Sequence, residues 1–276
     1  MIKMLRRHYI ENGAGGQIHY ARSGRGARIL LLHQTPRSWD EYREVIDLLD
    51  VEFELIAMDL PGMGASDAPD ERARIEDYAD AASRLIDEIG GPVTVCGHHT
   101  GGVVAIEMAS ARPELVERLI LSSTPWIDAN ERERRRNKAT IDSATHNIVG
   151  DHLRTYWSQR APYYPRDPAY LDRFLKDALA ARNAREGHLA VGAYVMEEAA
   201  PNIKIPTLII EHLGDPFASK HTEAIESAFP HAVTRSIENG GVALEATANE
   251  FAKIVRAWMH ETSNQRAAET KEDVKA

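Results

Sequence analysis

What this sequence has little of narrows its function first. It holds one cysteine, Cys96, in 276 residues. No internal disulfide framework and no cysteine-rich zinc site can be built from that. Cys96 stands in an apolar run, where a thiol reads as a small buried hydrophobe. No stretch approaches the roughly 20 apolar residues that a membrane helix needs. The first residues, Met1-Ile2-Lys3-Met4-Leu5-Arg6-Arg7-His8, carry basic side chains with no apolar stretch behind them. That is the pattern of neither a secretory signal nor an anchor, and a cytoplasmic location is expected. Positive charge is in deficit, with 33 Lys and Arg against 42 Asp and Glu and a net charge of −9. Nothing there suggests a nucleic-acid partner. The expected partner is a small molecule, and a homodimer is left open.

What is present suits one large α/β domain or two small ones. The hydrophobic fraction of 43% is enough for a sizeable core. Residues from about His8 to Ser23 alternate weakly around Asn12-Gly13 and Gly15-Gly16, which predicts a two-stranded hairpin. Arg28 to His33 is a continuous apolar run, as expected of a strand buried on both faces. Tyr42, Val45, Ile46 and Leu49 fall at helical spacing, and Phe53 to Met58 is a second buried strand. Tyr78, Ala81, Ala82, Leu85, Ile86 and Ile89 mark one face of a helix that Gly90-Gly91-Pro92 stops. Val93 to Gly102 reads as an apolar strand, a glycine-bounded turn and a new helix to about Ala111, with another strand over Val116 to Ser122. Strand and helix in alternation predict a parallel sheet with helices on both faces.

From Trp126 to about Pro201 the alternation stops. The segment reads as several helices with aromatic positions at Tyr156, Trp157, Tyr163, Tyr164, Tyr170, Phe174 and Tyr194. It is expected to be a cap inserted over the end of the sheet. The run Glu131 to Arg136 within it reads as a solvated helix face. Alternation resumes with Pro206 to Ile210, a helix near His221 to Ala228 and a strand near Ala232 to Ile237. A closing amphipathic helix carries Phe251, Ile254, Val255, Trp258 and Met259. The expected boundaries are thus a core over 1–125 and 202–261, a helical cap over 126–201, and a polar, disordered tail over 262–276.

Several motifs, in order, resemble those of the α/β-hydrolase family over nearly the whole chain. His33-Gln34-Thr35-Pro36 is similar to its His-Gly-x-Pro loop, with Gln34 in the glycine position. Asp59 to Ser66 matches Asp-x-x-Gly-x-Gly-x-Ser almost fully. Gly97 to Gly101 matches the frame of the nucleophile elbow, Gly-x-Ser-x-Gly, a sharp turn that exposes its middle residue. Gly214-Asp215-Pro216 falls where the acidic triad member lies, and Asn239 to Glu245 resembles the segment carrying the catalytic histidine. The resemblance implies the α/β-hydrolase fold with an inserted cap. Two departures stand out. The elbow residue is His99, and the position of the family's histidine is Gly241, 26 residues after Asp215. A serine–histidine–aspartate mechanism needs all three groups, so it does not carry over.

The residues that remain suggest another arrangement. An imidazole reaches further from the elbow than a serine hydroxyl. His99 is therefore expected to fill the space that Gly241 leaves and to donate one ring N–H to Asp215, with its other nitrogen facing the pocket as a general base. The resemblance assigns oxyanion donors to the backbone N–H groups of Thr35 and Thr100. Gln34, His98 and Trp126 are further candidates for substrate binding, though His98 also suits packing; His33 and His212 read as structural. Hydrolysis of a small ester, lactone or related carbonyl compound fits this set. So do elimination, isomerisation or decarboxylation in the same pocket, and so does a catalytically dead, ligand-binding relative. Histidine as covalent nucleophile ranks lower, because no second base is visible to release the intermediate. His33, His98 and His99 lie near one sheet edge, but neighbours in a tight turn point apart, and no metal or cofactor is expected. The aromatic cap residues suggest an apolar or aromatic substrate.

Overall fold

The computed structural model describes residues 5–13, 16–136 and 141–273, with side chains to residue 265. It is organised by an eight-stranded sheet. The strands are β1 (Arg6–Glu11), β2 (Gln17–Gly24), β3 (Ala27–Leu32), β4 (Phe53–Met58), β5 (Val93–His98), β6 (Val116–Ser122), β7 (Thr207–His212) and β8 (Val233–Ile237). Their spatial order is β1-β2-β4-β3-β5-β6-β7-β8. The β1–β2 hairpin and the β2–β4 pair are antiparallel, and every later pair is parallel. The helices are α1 (Arg43–Leu49), α2 (Ile75–Ile89), α3 (Thr100–Ala111), α4 (Ala129–Arg136), α5 (Asp151–Arg160), α6 (Pro168–Ala180), α7 (Glu186–Ala193), α8 (Met196–Ala199), α9 (Thr222–Ala228) and α10 (Ala248–Asp273).

Strand alternation divides the core. Leu30 and Leu32 of β3 pack with α2 and α3 on one face, while Ile29 and Leu31 pack with α1 and α10 on the other. Both faces are covered, which is why the central strands are apolar without interruption. The five helices α4 to α8 are inserted between β6 and β7. This cap has a small core of its own around Tyr156, Tyr164, Leu171 and Phe174. The fold is thus the α/β-hydrolase fold with a helical cap.

The tail differs from the expectation of disorder. The backbone is helical through Asp273. The stretch after Thr262 is polar, but it holds neither glycine nor proline and is rich in Ala, Glu, Lys, Gln and Arg. Those residues favour helix even where nothing packs on them. Residues 274–276 lie outside the described residues. Among the described residues, no helix is long and apolar enough to cross a membrane.

A candidate active site at the strand-to-helix turn

The site is built on the turn between β5 and α3. His99 joins them with φ 47° and ψ −111°, a left-handed conformation rare for a residue with a Cβ. Its neighbours explain why the turn can be so tight. A Cβ on Gly97 would lie 2.1 Å from the carbonyl oxygen of Gly101, and one on Gly101 would lie 1.9 Å from that of Leu32. Only glycine lets the backbones approach this closely. A strained φ of this kind costs of order 1–3 kcal/mol and is held by the structure around it.

The His99 ring turns toward Asp215. Its Nε2 lies 2.6 Å from Oδ2 of Asp215, at an angle off that of a linear hydrogen bond. The ring is 12% exposed and the carboxylate is fully buried. Asp215 follows β7 in a loop tied to the next one by the Gly214 N–H donating to the Gly240 carbonyl (2.7 Å). Its Oδ1 accepts the N–H groups of Phe217 (2.9 Å) and Ala218 (3.2 Å), which fixes the plane of the carboxyl. Burial works to raise the Asp215 pKa, but the nearby imidazole and these N–H donors prevail and hold it well below the usual carboxylate range. At Gly241 the space is open: an added Cβ would meet nothing closer than the Tyr163 carbonyl oxygen at 3.6 Å.

A cavity of about 790 Å³ opens over His99. Thr35 and Thr100 line it, and no hydrogen bond among the described residues uses either backbone N–H. The cap closes over this floor. A Cβ on Gly187 of α7 would sit 2.5 Å from Thr35 Cβ, so glycine there lets the cap lie directly on the Thr35 loop.

Two of the expected binding residues lie off the cavity, and a third lines it with its amide engaged. His98 is fully buried, with Nδ1 2.9 Å from Ser122 Oγ and Nε2 3.3 Å from the Val242 carbonyl. The pleat of β5 turns it away from the cavity, and its ring stands edge-on to that of His99 at 4.7 Å. It buttresses His99 from behind. Trp126 packs against the main core rather than lining the cavity. Gln34 reaches the cavity wall, but its amide is committed to Glu41 Oε1 (2.5 Å) and the Val242 carbonyl (3.0 Å). His33 and His212 are buried supports: His33 Nε2 accepts the Leu60 N–H (3.0 Å), and His212 Nε2 is 3.2 Å from Ser122 Oγ. Among the described residues, no group of three or more His, Cys, Asp or Glu side chains is placed to hold a metal ion.

The loop carrying Thr35 is anchored by a buried charge cluster. Arg37 is fully buried and donates Nε to Asp177 of α6 (2.9 Å) and Nη1 to Glu245 (2.8 Å), with Glu41 3.7 Å away. Glu245 therefore serves to tie the segment after Gly241 to the Thr35 loop. One guanidinium faces three carboxylates. Burial pushes Glu41 up to about 7, against the pull of Arg37 and with the help of Glu245.

Two features of the site were not expected from the sequence. The first is a second imidazole–carboxylate pair. His188 of α7 lines the cavity with Nε2 2.8 Å from Oδ2 of Asp142, which also binds Arg160 Nε at 2.8 Å. Burial works to raise the Asp142 pKa, but Arg160 and His188 outweigh it and bring it down to about 2. Burial lowers the His188 pKa despite Asp142, favouring the neutral ring. The second is the charge of the wall. The run in α4 is solvated, as expected, with Arg134 57% and Arg136 71% exposed, and it also borders the cavity: Arg132, Arg134, Arg135 and Arg136 line it, joined by Arg72, Arg160 and Lys220. The aromatic cap residues are mostly turned into the cap core, as with Tyr156, Tyr164 and Phe174, or bonded elsewhere, as with Tyr194 Oη to Glu107 (2.6 Å). Phe217, with Pro125, Ile141, Leu189 and Val191, still gives the cavity apolar surface, so the lining presents both apolar and basic groups.

Comparisons with known proteins agree with this architecture. The chain is 40% identical over 119 residues to a soluble epoxide hydrolase from Corynebacterium sp. (strain C12), covering 41% of this chain and 40% of that protein. It is 29% identical over 102 residues to (E)-2-((N-methylformamido)methylene)succinate hydrolase from Acinetobacter baylyi, covering 37% and 39%. The matches thus span about two fifths of the curated relatives. A malate-bound structure of a thermophilic esterase from Thermogutta terrifontis superposes with a TM-score of 0.76 at 20% identity, over 93% of this chain and 98% of that one. The family model described as "Alpha/beta hydrolase family" matches residues 29–254. With that match across most of its length, the chain belongs to the α/β-hydrolase family.

Proposed function

We propose that the protein hydrolyses a small ester, lactone or related carbonyl compound, with His99 as general base in place of a serine nucleophile. The observation that carries this reading is the place of one ring. His99 stands at the strained turn beneath a cavity, with a buried carboxylate 2.6 Å behind its Nε2. Asp215 then holds the Nε2–H tautomer, and Nδ1 is the basic nitrogen. Nδ1 takes a proton from water as its oxygen attacks the carbonyl carbon. The developing oxyanion accepts hydrogen bonds from the N–H groups of Thr35 and Thr100. The proton passes to the leaving oxygen as the tetrahedral adduct collapses. A positioned base contributes about 10²–10⁴-fold, and an oxyanion donor typically about 10²–10³-fold. The water-adding activities named for the relatives fit this chemistry. One of them is named for a substituted succinate.

A second reading gains support from the cap. His188 backed by Asp142 is a second base on the same cavity, the group whose absence weighed against covalent catalysis. His99 Nδ1 would then attack the carbonyl itself, expel the leaving group and form an acyl-imidazole, which water activated by His188 would hydrolyse. Turnover of a panel of activated esters and lactones tests the activity, and acid-quenched mass spectrometry separates the mechanisms. General-base hydrolysis leaves the chain mass unchanged during turnover. An acyl adduct on the peptide holding His99 selects the covalent route. No turnover by the wild-type protein on any member of the panel would overturn both.

A further inference from the structure

Over a chain whose net charge is −9, the cavity wall is basic. The charges on it do not cancel. Arg132 pairs with Glu197, Arg136 with Glu133 and Arg160 with Asp142, while Arg134 and Arg135 share the single carboxylate of Glu131. Arg72 and Lys220 are exposed and have no ion-pair partner among the described residues. Seven basic side chains thus meet four carboxylates, which leaves an excess of three positive charges. Asp215, buried beneath the floor behind His99, brings the excess to two. A solvated helix face by itself would spread its charge outward. Here helix α4, the loop holding Arg72 and the 3-10 turn Ser219–His221 holding Lys220 bring theirs to one concave surface. Such a surface focuses the field and concentrates anions.

Resting on the hydrolase reading, we propose that the substrate of this site is an anion, a small organic molecule carrying a carboxylate or phosphate group remote from its scissile carbonyl. The charged end lies against the basic wall, and the carbonyl lies over His99 between the Thr35 and Thr100 amides. A cavity of about 790 Å³ has room for both ends of such a molecule. Arg134 and Arg135, which share one carboxylate, and the unpaired Arg72 and Lys220 are the groups with charge to spare. Guanidinium and ammonium groups bind carboxylate and phosphate oxygens through short, charge-assisted hydrogen bonds.

The test uses the full chain and two probes. The mono(4-nitrophenyl) ester of glutaric acid carries a free carboxylate; 4-nitrophenyl hexanoate is a neutral ester of similar length. The expected result is a kcat/KM at least about tenfold higher for the charged ester at low salt, falling toward parity at about 1 M salt as screening shortens the field. Arg72→Ala/Lys220→Ala removes two exposed charges, and is expected to reduce the preference about tenfold through KM. Calorimetric titration with glutarate and with inorganic phosphate needs no turnover and tells the two anions apart. Anion binding without hydrolysis of either ester would sustain this inference and sink the hydrolase reading. Hydrolysis with equal or greater preference for the neutral ester would overturn this inference and leave the hydrolase reading standing. Neither binding nor turnover would overturn both.

Discussion

Glu41 offers a stability test of the cluster that holds the Thr35 loop. It is fully buried beside Arg37, accepts the Gln34 N–H and side-chain amide, and is pushed up to about 7 from an ordinary value near 4.5. A carboxyl whose pKa is raised on folding binds its proton more tightly in the folded state. Its contribution is greatest at low pH and is lost as pH climbs from about 4.5 to about 7. The shift is worth about 3 kcal/mol in full, and about 2 to 3 kcal/mol between pH 5 and pH 8. His212 and His221, lowered to about 4 mainly by burial, act in the opposite sense up to about pH 6.5, so the raw pH profile of the wild type mixes the two effects. The comparison with Glu41→Gln removes them. Glutamine keeps the shape and does not titrate; turning the Gln34 amide over to meet it gives up the bond to the Val242 carbonyl, a cost that does not vary with pH and so drops out of the comparison. Measured by denaturant unfolding at each pH, the glutamine variant gains about 2 to 3 kcal/mol on the wild type between pH 5 and pH 8, or about 5 °C in Tm for a chain of this length. A constant difference across that range would refute the reasoning. That result would show that Arg37 keeps Glu41 ionised.

Other outcomes follow from the site. Asp215→Asn keeps an oxygen for the Phe217 and Ala218 amides, so it folds, but it lowers kcat about 10²- to 10⁴-fold in steady-state assays by losing the charge behind the imidazole. Gly101→Ala places a methyl carbon 1.9 Å from the Leu32 carbonyl and is expected to cost roughly 3 kcal/mol or more, read as a fall in Tm or loss of soluble protein. His99→Ser with Gly241→His rebuilds a serine–histidine–aspartate set in the room at Gly241, and is expected to become labelled at Ser by a fluorophosphonate probe, as the wild type is not.

The turn and its partner could be read from the sequence because their constraints are local. Gly97 and Gly101 are glycine because two backbones touch there, and the frame they make announces an exposed middle residue. The Asp59 to Ser66 segment is similar: Asp59 accepts the Trp39 and Ala65 amides at 2.6 and 2.8 Å, and a Cβ on Gly64 would collide with it. The cap could not be read in this way. Asp142, Arg160 and His188 come from a bend, α5 and α7, far apart in the chain, and no spacing announces them. Sequence alone does not say which neighbours a short charged helix borders, so the reading of α4 as solvated, which the exposure of Arg134 and Arg136 bears out, does not announce that its arginines also line the cavity. His98 takes the packing role that also suited it: it ends β5, where its side chain points into the core, while the next residue is thrown outward.

The most direct measurement of the central claim is kcat/KM for His99→Gln against the wild type on the carboxylate-bearing ester, with Tm measured on both. If the imidazole at the turn is the base, the variant keeps its Tm within a few degrees and loses at least about a hundredfold in kcat/KM. A folded variant that retains activity within a few-fold of the wild type would contradict the account.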